Sequence, residues 1–226
     1  MVTEDSLLPI GVFGGTFDPV HNGHLRIALD AREQLGLEQV RLVPLAHAVH
    51  RNQPETPAAM RLAMLQAAVE GRADLVADDR ELRRPGPSFT IDTLRSLRQD
   101  LPGRQLCLLL GGDAFSGFPD WRDPRGILDI ANIAVLQRPG HPPPGGAGLR
   151  DLLEERLTGR LDPGQSGQIV FCRVTQLEIS SSDIRRRIAG GRSADFLTPA
   201  AVLDLIRRHA LYREPPVQQG KAGGPT

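Results

Sequence analysis

The stretch Gly14-Gly15-Thr16-Phe17-Asp18-Pro19-Val20-His21-Asn22-Gly23-His24 gathers side chains that can do chemistry. It follows an apolar run of strand length and precedes a segment of helical period. Two glycines let an anion approach the backbone closely, and the start of the next helix offers unpaired N–H groups and the positive end of its dipole. His21 and His24, three positions apart, reach the same side of that first turn. From there they can donate hydrogen bonds to the charge that grows in a phosphoryl-transfer transition state. Two plainer readings stay open: a glycine turn that only reverses the chain, and a histidine pair on zinc. Two histidines alone make a poor zinc site.

A second cluster, Ile179-Ser180-Ser181-Ser182-Asp183-Ile184-Arg185, joins a serine-rich helix start to an arginine about one turn in. Hydroxyls, free backbone N–H groups and a guanidinium converge there as a cradle for a polyphosphate. An ordinary capped helix with a solvated arginine is the alternative, and Arg186 and Arg187 read as a solvated face. Gly111-Gly112-Asp113 follows a strongly apolar strand, so Asp113 either accepts from ribose hydroxyls or caps a helix. Trp121, the only tryptophan, is either core packing or a stacking surface. In Pro87-Ser88-Phe89-Thr90, Ser88 or Thr90 can serve as an N-cap.

These residues need elements to hold them. Strand-length apolar runs at Leu7 to Phe13, Val40 to Val43, Leu75 to Ala77, Leu106 to Leu110, Ile133 to Leu136 and Ile169 to Val174 alternate with helical segments. The helices are read at Gly23 to Leu35, Pro57 to Glu70 with Pro57 in the first turn, Thr90 to Gln99, Ile127 to Ile130, Asp183 to Ala189, and Pro199 to His209. Such alternation predicts an α/β fold, a parallel sheet with helices on both faces and a small C-terminal helical part. Pro139 to Gly148 reads as a surface loop, because proline removes donors and glycine raises the entropy cost of order. One domain over residues 1–213 and a disordered tail at 214–226 are expected.

The chain has 226 residues, with 27 Lys+Arg balanced by 27 Asp+Glu. That balance argues against nucleic acid or an anionic membrane as partner and favours small substrates. The opening Met-Val-Thr-Glu-Asp-Ser lacks the basic start of a signal peptide, and Cys107 and Cys172 lie in apolar stretches. A cytoplasmic protein with reduced thiols is expected, and a homo-oligomer is left open.

The first string resembles the signature of the HxGH nucleotidyltransferases, and more closely of their bacterial nicotinate-nucleotide adenylyltransferases; the similarity runs over roughly residues 8 to 213 with motifs in the same order. The resemblance implies a Rossmann-like sheet and transfer of the adenylyl group of ATP to nicotinate mononucleotide. Nicotinic acid adenine dinucleotide and pyrophosphate are the products, in a step of NAD biosynthesis assisted by magnesium. It makes His21, His24 and Arg185 catalytic, and places Gly14, Gly15, Thr16, Phe17, His21, His24, Ile179, Ser180, Ser182 and Arg185 on ATP. Ser182 stands where the family's Ile-Ser-Ser-Thr-x-Ile-Arg motif has threonine and keeps the hydroxyl. The acceptor would be met by His50, Ser88, Phe89, Thr90, Gly111, Asp113, Trp121, Arg122 and Arg138. No metal-ligating residue is implied, since magnesium binds mainly through phosphate oxygens and water. Two departures fall near the acceptor: Phe89 replaces a tyrosine, and Ala48-Val49 stand where relatives commonly have two prolines.

Overall fold

The computed structural model describes residues 8–47, 53–137 and 147–213. The first half runs β1 (Ile10–Gly15), α1 (Asn22–Leu35), β2 (Gln39–Pro44), α2 (Ala58–Ala68), β3 (Leu75–Ala77), α3 (Arg80–Arg83) and α4 (Thr90–Asp100). The second half runs β4 (Leu106–Gly111), α5 (Gly112–Ser116), a 3-10 turn (Phe118–Asp120), α6 (Pro124–Ile130), β5 (Asn132–Gln137), α7 (Ala147–Arg156), β6 (Ile169–Arg173), α8 (Ser181–Ala189) and α9 (Ala200–Arg208). Six strands pair in the order β3-β2-β1-β4-β5-β6, and every pairing is parallel. Strand order therefore reverses between β1 and β4, and the carboxyl ends of those strands bound the crevice where such folds take ligands.

Both faces of the sheet are covered, which is why its strands read as continuous apolar runs. Side chains nevertheless alternate between two separate cores. Leu106, Leu108 and Leu110 of β4 and Ile133 and Val135 of β5 join Ile91, Leu94, Leu97, Phe115 and Ile127 on one face. Cys107, Leu109, Ala134 and Leu136 point the other way, to Val20, Met64, Leu65, Ile184, Val202 and Ile206. Each fully buried Leu or Ile of this kind contributes roughly 1.5–3 kcal/mol of transfer free energy. Helix ends follow local chemistry: Gly36 closes α1 in the left-handed region (φ 62), its N–H bonded to the Arg32 carbonyl.

The observed elements differ from the sequence reading where the local signal was weak. β1 starts at Ile10 and extends to Gly15, so its last two residues are the signature glycines. Pro57 and Pro199 are N-caps with extended ψ, one position outside the helices they precede. Ser180 caps α8, which begins at Ser181. Ala147 and Gly148 open α7 instead of ending a loop; the preceding 138–146 and the tail 214–226 lie outside the described residues. α3, α5 and the 3-10 turn are too short to carry a period.

Candidate active site

Between β1 and α1 the signature loop is suspended by its carbonyl oxygens. Arg61 Nη1 of α2 donates to Thr16 O at 2.7 Å, Arg185 Nη1 of α8 to Asp18 O at 2.7 Å, and Ser181 Oγ to Pro19 O at 2.9 Å. Thr198 Oγ1, just before α9, donates to Val20 O at 2.7 Å. Three separate elements thereby fix a segment with no regular structure of its own, and its buried carbonyls are satisfied. Phe17, in the left-handed region (φ 49), buries its ring completely in the core. A Cβ on Gly15 would come within 2.9 Å of that ring, whereas one on Gly14 would meet nothing within 4 Å. Gly15 is therefore needed by the protein, and Gly14 leaves space for a ligand.

The two histidines stack, ring centroids 3.7 Å apart and 25° from coplanar. His21 is the N-cap of α1, and a Cβ on Gly23 would approach its Nδ1 to 3.0 Å, so the intervening glycine makes room for the imidazole. His24 sits edge-on to Phe17 at 5.1 Å. Burial pushes His21 down from 6.5 to about 4; burial and then the neighbouring His21 push His24 down to about 3. Both rings are neutral at pH 7, with one N–H each. His24 Nδ1 accepts from the His21 backbone N–H at 3.3 Å, which assigns the His24 proton to Nε2.

Across the crevice, α8 presents the second cluster. Ser180 Oγ accepts from Asp183 N at 3.1 Å as a cap, while Ser182 is exposed. Arg186 and Arg187 pair with Asp183 at 3.3 and 2.7 Å, on a side face of the helix. Gly14, Gly15, Thr16, Phe17, His21, His24, Gly111, Asp113, Ile179, Ser180, Ser182 and Arg185 all line one cleft of about 850 Å³. Gly111, not Asp113, is the N-cap of α5; Asp113 lies in its first turn and is exposed at the rim.

Ser88, Phe89, Thr90, Trp121 and Arg122 are not on that lining; Ser88 and Phe89 lead into α4, which Thr90 opens, and Arg122 reaches them there. Arg122 lies over the Phe89 ring, Cζ 4.4 Å from the centroid, and pairs with Asp92 at 3.8 Å. Trp121 is half-buried, edge-on to Phe118 at 5.7 Å. Neither Ser88 nor Thr90 caps α4: Phe89 is the N-cap through its extended backbone. The Ser88 hydroxyl instead accepts from the Ala46 and His47 N–H groups at 3.0 and 3.3 Å, tying the segment after β2 to the start of α4. His50, with Ala48-Val49, and Arg138 lie outside the described residues.

Sequence reasoning missed the supports. Arg61 is 1% exposed and donates to three carbonyls, Thr16, Leu45 and Thr56, the last at 3.1 Å. Tyr212 donates to Asp18 Oδ1 at 2.5 Å; burial and then the Asp18 carboxylate push its hydroxyl pKa up, so it stays protonated. No local signal marks either residue, because their partners lie far away in sequence.

Residues 12–187 match the cytidylyltransferase-like family. The chain is 48% identical over 211 residues to the probable nicotinate-nucleotide adenylyltransferase of Pseudomonas aeruginosa, covering 91% of this chain and 98% of that one. The probable nicotinate-nucleotide adenylyltransferase of Pseudomonas syringae pv. tomato is likewise 48% identical, with 91% and 94% covered. Among solved structures, Plasmodium falciparum nicotinic acid mononucleotide adenylyltransferase complexed with NaAD superposes with a TM-score of 0.68, covering 91% of this chain and 97% of that one. At 17% identity this second likeness is one of fold.

Proposed function

The chain belongs to the cytidylyltransferase-like family and, within it, to the nicotinate-nucleotide adenylyltransferases, and we propose that the β1–β4 cleft is where it works. The reaction moves the adenylyl group of ATP to nicotinate mononucleotide, giving nicotinic acid adenine dinucleotide and pyrophosphate, a step of NAD biosynthesis. One observation carries the site: a stacked, neutral histidine pair at the start of α1 shares a cleft with the serine-capped start of α8 and Arg185.

In this reading no side chain acts as nucleophile. An oxygen of the acceptor's phosphate attacks the α-phosphorus in line, a new P–O bond forms, the bond to the β-phosphate breaks, and pyrophosphate leaves. Catalysis is then positioning and charge stabilisation. His24, with its proton assigned to Nε2, donates to the α-phosphate, and His21 stacks against it. Arg185, Ser182 and the free N–H groups of α8 hold the phosphates beyond, and Ser180, whose hydroxyl caps the helix, fixes that helix start in place. Asp113 at the rim suits ribose hydroxyls, and the group around Phe89, Trp121 and Arg122 suits the pyridine end.

Magnesium fits this arrangement as a partner of ATP. Magnesium keeps several waters and binds largely through substrate phosphate oxygens, so it would reach this cleft on the triphosphate. Bound there, it would neutralise charge on the leaving pyrophosphate. We place the protein in the cytoplasm, a reading supported by two free buried cysteines, Cys107 and Cys172.

The test is pyrophosphate release by the purified protein, with ATP, magnesium and nicotinate mononucleotide, and chromatographic identification of the dinucleotide. Release with this acceptor is expected. No release with it, or with nicotinamide mononucleotide or phosphopantetheine, would leave a nucleotide-binding protein without the reaction.

A further inference from the structure

Tyr212 is the only tyrosine in the chain, and three distant segments meet at its hydroxyl. It donates to Asp18 Oδ1 at 2.5 Å, across 194 positions of sequence, and accepts from Thr56 Oγ1 at 3.1 Å. Asp18 and Thr56 are 3% and 4% exposed. The Thr56 carbonyl takes Arg61 Nε at 3.1 Å, and the same guanidinium holds Thr16 O and Leu45 O, each at 2.7 Å. One buried network thus joins the loop after β1, the segments on either side of residues 48–52, the start of α2 and the chain beyond α9.

Asp18 is held twice, by its side chain to Tyr212 and by its carbonyl to Arg185. It stands three positions before His21. Backbone strain surrounds this contact: Phe17 (φ 49) and Tyr212 (φ 60) both occupy the left-handed region. Non-glycine residues persist there only where their surroundings over-determine them. A phenyl ring at 212 would fill the same space, so the hydroxyl's two hydrogen bonds, to Asp18 and from Thr56, are what distinguishes tyrosine here.

We propose that Tyr212 is a positioning residue for adenylyl transfer: its hydroxyl, acting through Asp18, sets the loop that delivers His21 and His24 to the cleft. This inference rests on the site reading given above. Tyr212→Phe keeps the ring and removes only the hydroxyl. Thr56→Val removes the other hydrogen bond to that hydroxyl and leaves the contact with Asp18.

Wild type and both variants are compared for kcat with ATP and nicotinate mononucleotide, for affinity toward a non-hydrolysable ATP analogue by calorimetry, and for melting temperature. For Tyr212→Phe we expect kcat to fall about tenfold or more and analogue affinity to weaken about threefold or more, since small misplacements of reacting groups cost up to about a hundredfold. The variant stays folded, its melting temperature within about 10 °C of wild type. Thr56→Val keeps kcat within about threefold of wild type. If Tyr212→Phe matches wild type in kcat and analogue affinity, whatever its melting temperature, the hydroxyl only supports the fold and the proposal is overturned. Equal losses in the two variants overturn it as well, because the contact with Asp18 would then not be the cause. Should wild type bind the analogue but leave nicotinate mononucleotide untouched, the acceptor reading fails while the affinity comparison still decides the role of Tyr212.

Discussion

At the scale of single residues, two imidazoles are kept uncharged on the lining of the cleft between β1 and β4. Burial accomplishes this by depressing His21 to about 4 and His24 to about 3. The His21 N–H bonded to His24 Nδ1 then assigns the remaining proton to Nε2. His24→Ala removes that donor, and turnover should drop roughly 100- to 1000-fold, the range for losing one preorganised transition-state donor. Near-normal turnover in a folded variant would refute the role given to His24. The same depressed values dictate a pH dependence of stability. In the unfolded chain each histidine takes a proton near pH 6.5, whereas in the fold it stays neutral to about pH 4 or 3. Between those limits the unfolded state binds more protons, so stability falls as the pH falls. The loss reaches on the order of 2 kcal/mol per imidazole by about pH 5. Melting temperatures should therefore decline from neutral pH to about pH 5, and less steeply in His24→Gln. Identical profiles for wild type and variant would show that His24 is not held neutral by the fold.

At the scale of elements, the helix starts divide labour among neighbouring side chains. Ser180 accepts from Asp183 N and caps α8, Ser181 holds the Pro19 carbonyl, and Ser182 is exposed on the cleft lining. Ser180→Ala should cost about 1 kcal/mol of stability, roughly 2–4 °C in melting temperature for a chain of this size, through the lost cap. Ser182→Ala should leave melting unchanged and raise the KM for ATP about two- to tenfold, through a lost hydrogen bond to phosphate. Thermal melts and ATP titrations of the two variants separate the roles; a stability loss in Ser182→Ala with unchanged KM would reverse them. Elements also differ in how plainly the sequence announces them. β4 is a run of four leucines and a cysteine, and such runs are unmistakable because both sheet faces are buried. α7 escaped notice because Ala147 and Gly148 follow a stretch of prolines and glycines and read as its end. At the start of α4 the local rule pointed to a hydroxyl cap, yet the Ser88 hydroxyl is drawn to the Ala46 and His47 amides, which no local rule can weigh.

At the scale of the whole molecule, four residues readable in the sequence face the cleft, and two unreadable ones stand behind them. His21, His24, Ser182 and Arg185 declare themselves by type and spacing next to helix starts. Arg61 and Tyr212 look like ordinary members of amphipathic segments, and their importance comes from carbonyl and carboxylate partners that only tertiary folding brings near. The group beside the start of α4 is assembled in the same long-range way, from Ser88 holding residues 46 and 47, Phe89 as the N-cap, and Arg122 after the 3-10 turn. Phe89 lacks a hydroxyl, but its ring carries the Arg122 guanidinium 4.4 Å from its centroid, and in the proposed reading this cation, which Asp92 meets only at 3.8 Å, stands at the pyridine end. A carboxylate accepts from donors at both oxygens and is attracted by that charge, whereas an amide turns its NH₂ toward one donor and leaves it unpaired. An unpaired buried donor costs about 1–3 kcal/mol, so nicotinate mononucleotide should be used roughly 10- to 100-fold more efficiently than nicotinamide mononucleotide. Arg122→Ala should narrow that ratio, mainly by raising KM for the acid. Measuring kcat/KM for both acceptors at the same ATP and magnesium decides it: equal efficiencies in wild type, or a preference for the amide, would overturn the acceptor preference, and an unchanged ratio in Arg122→Ala would remove the guanidinium from its cause.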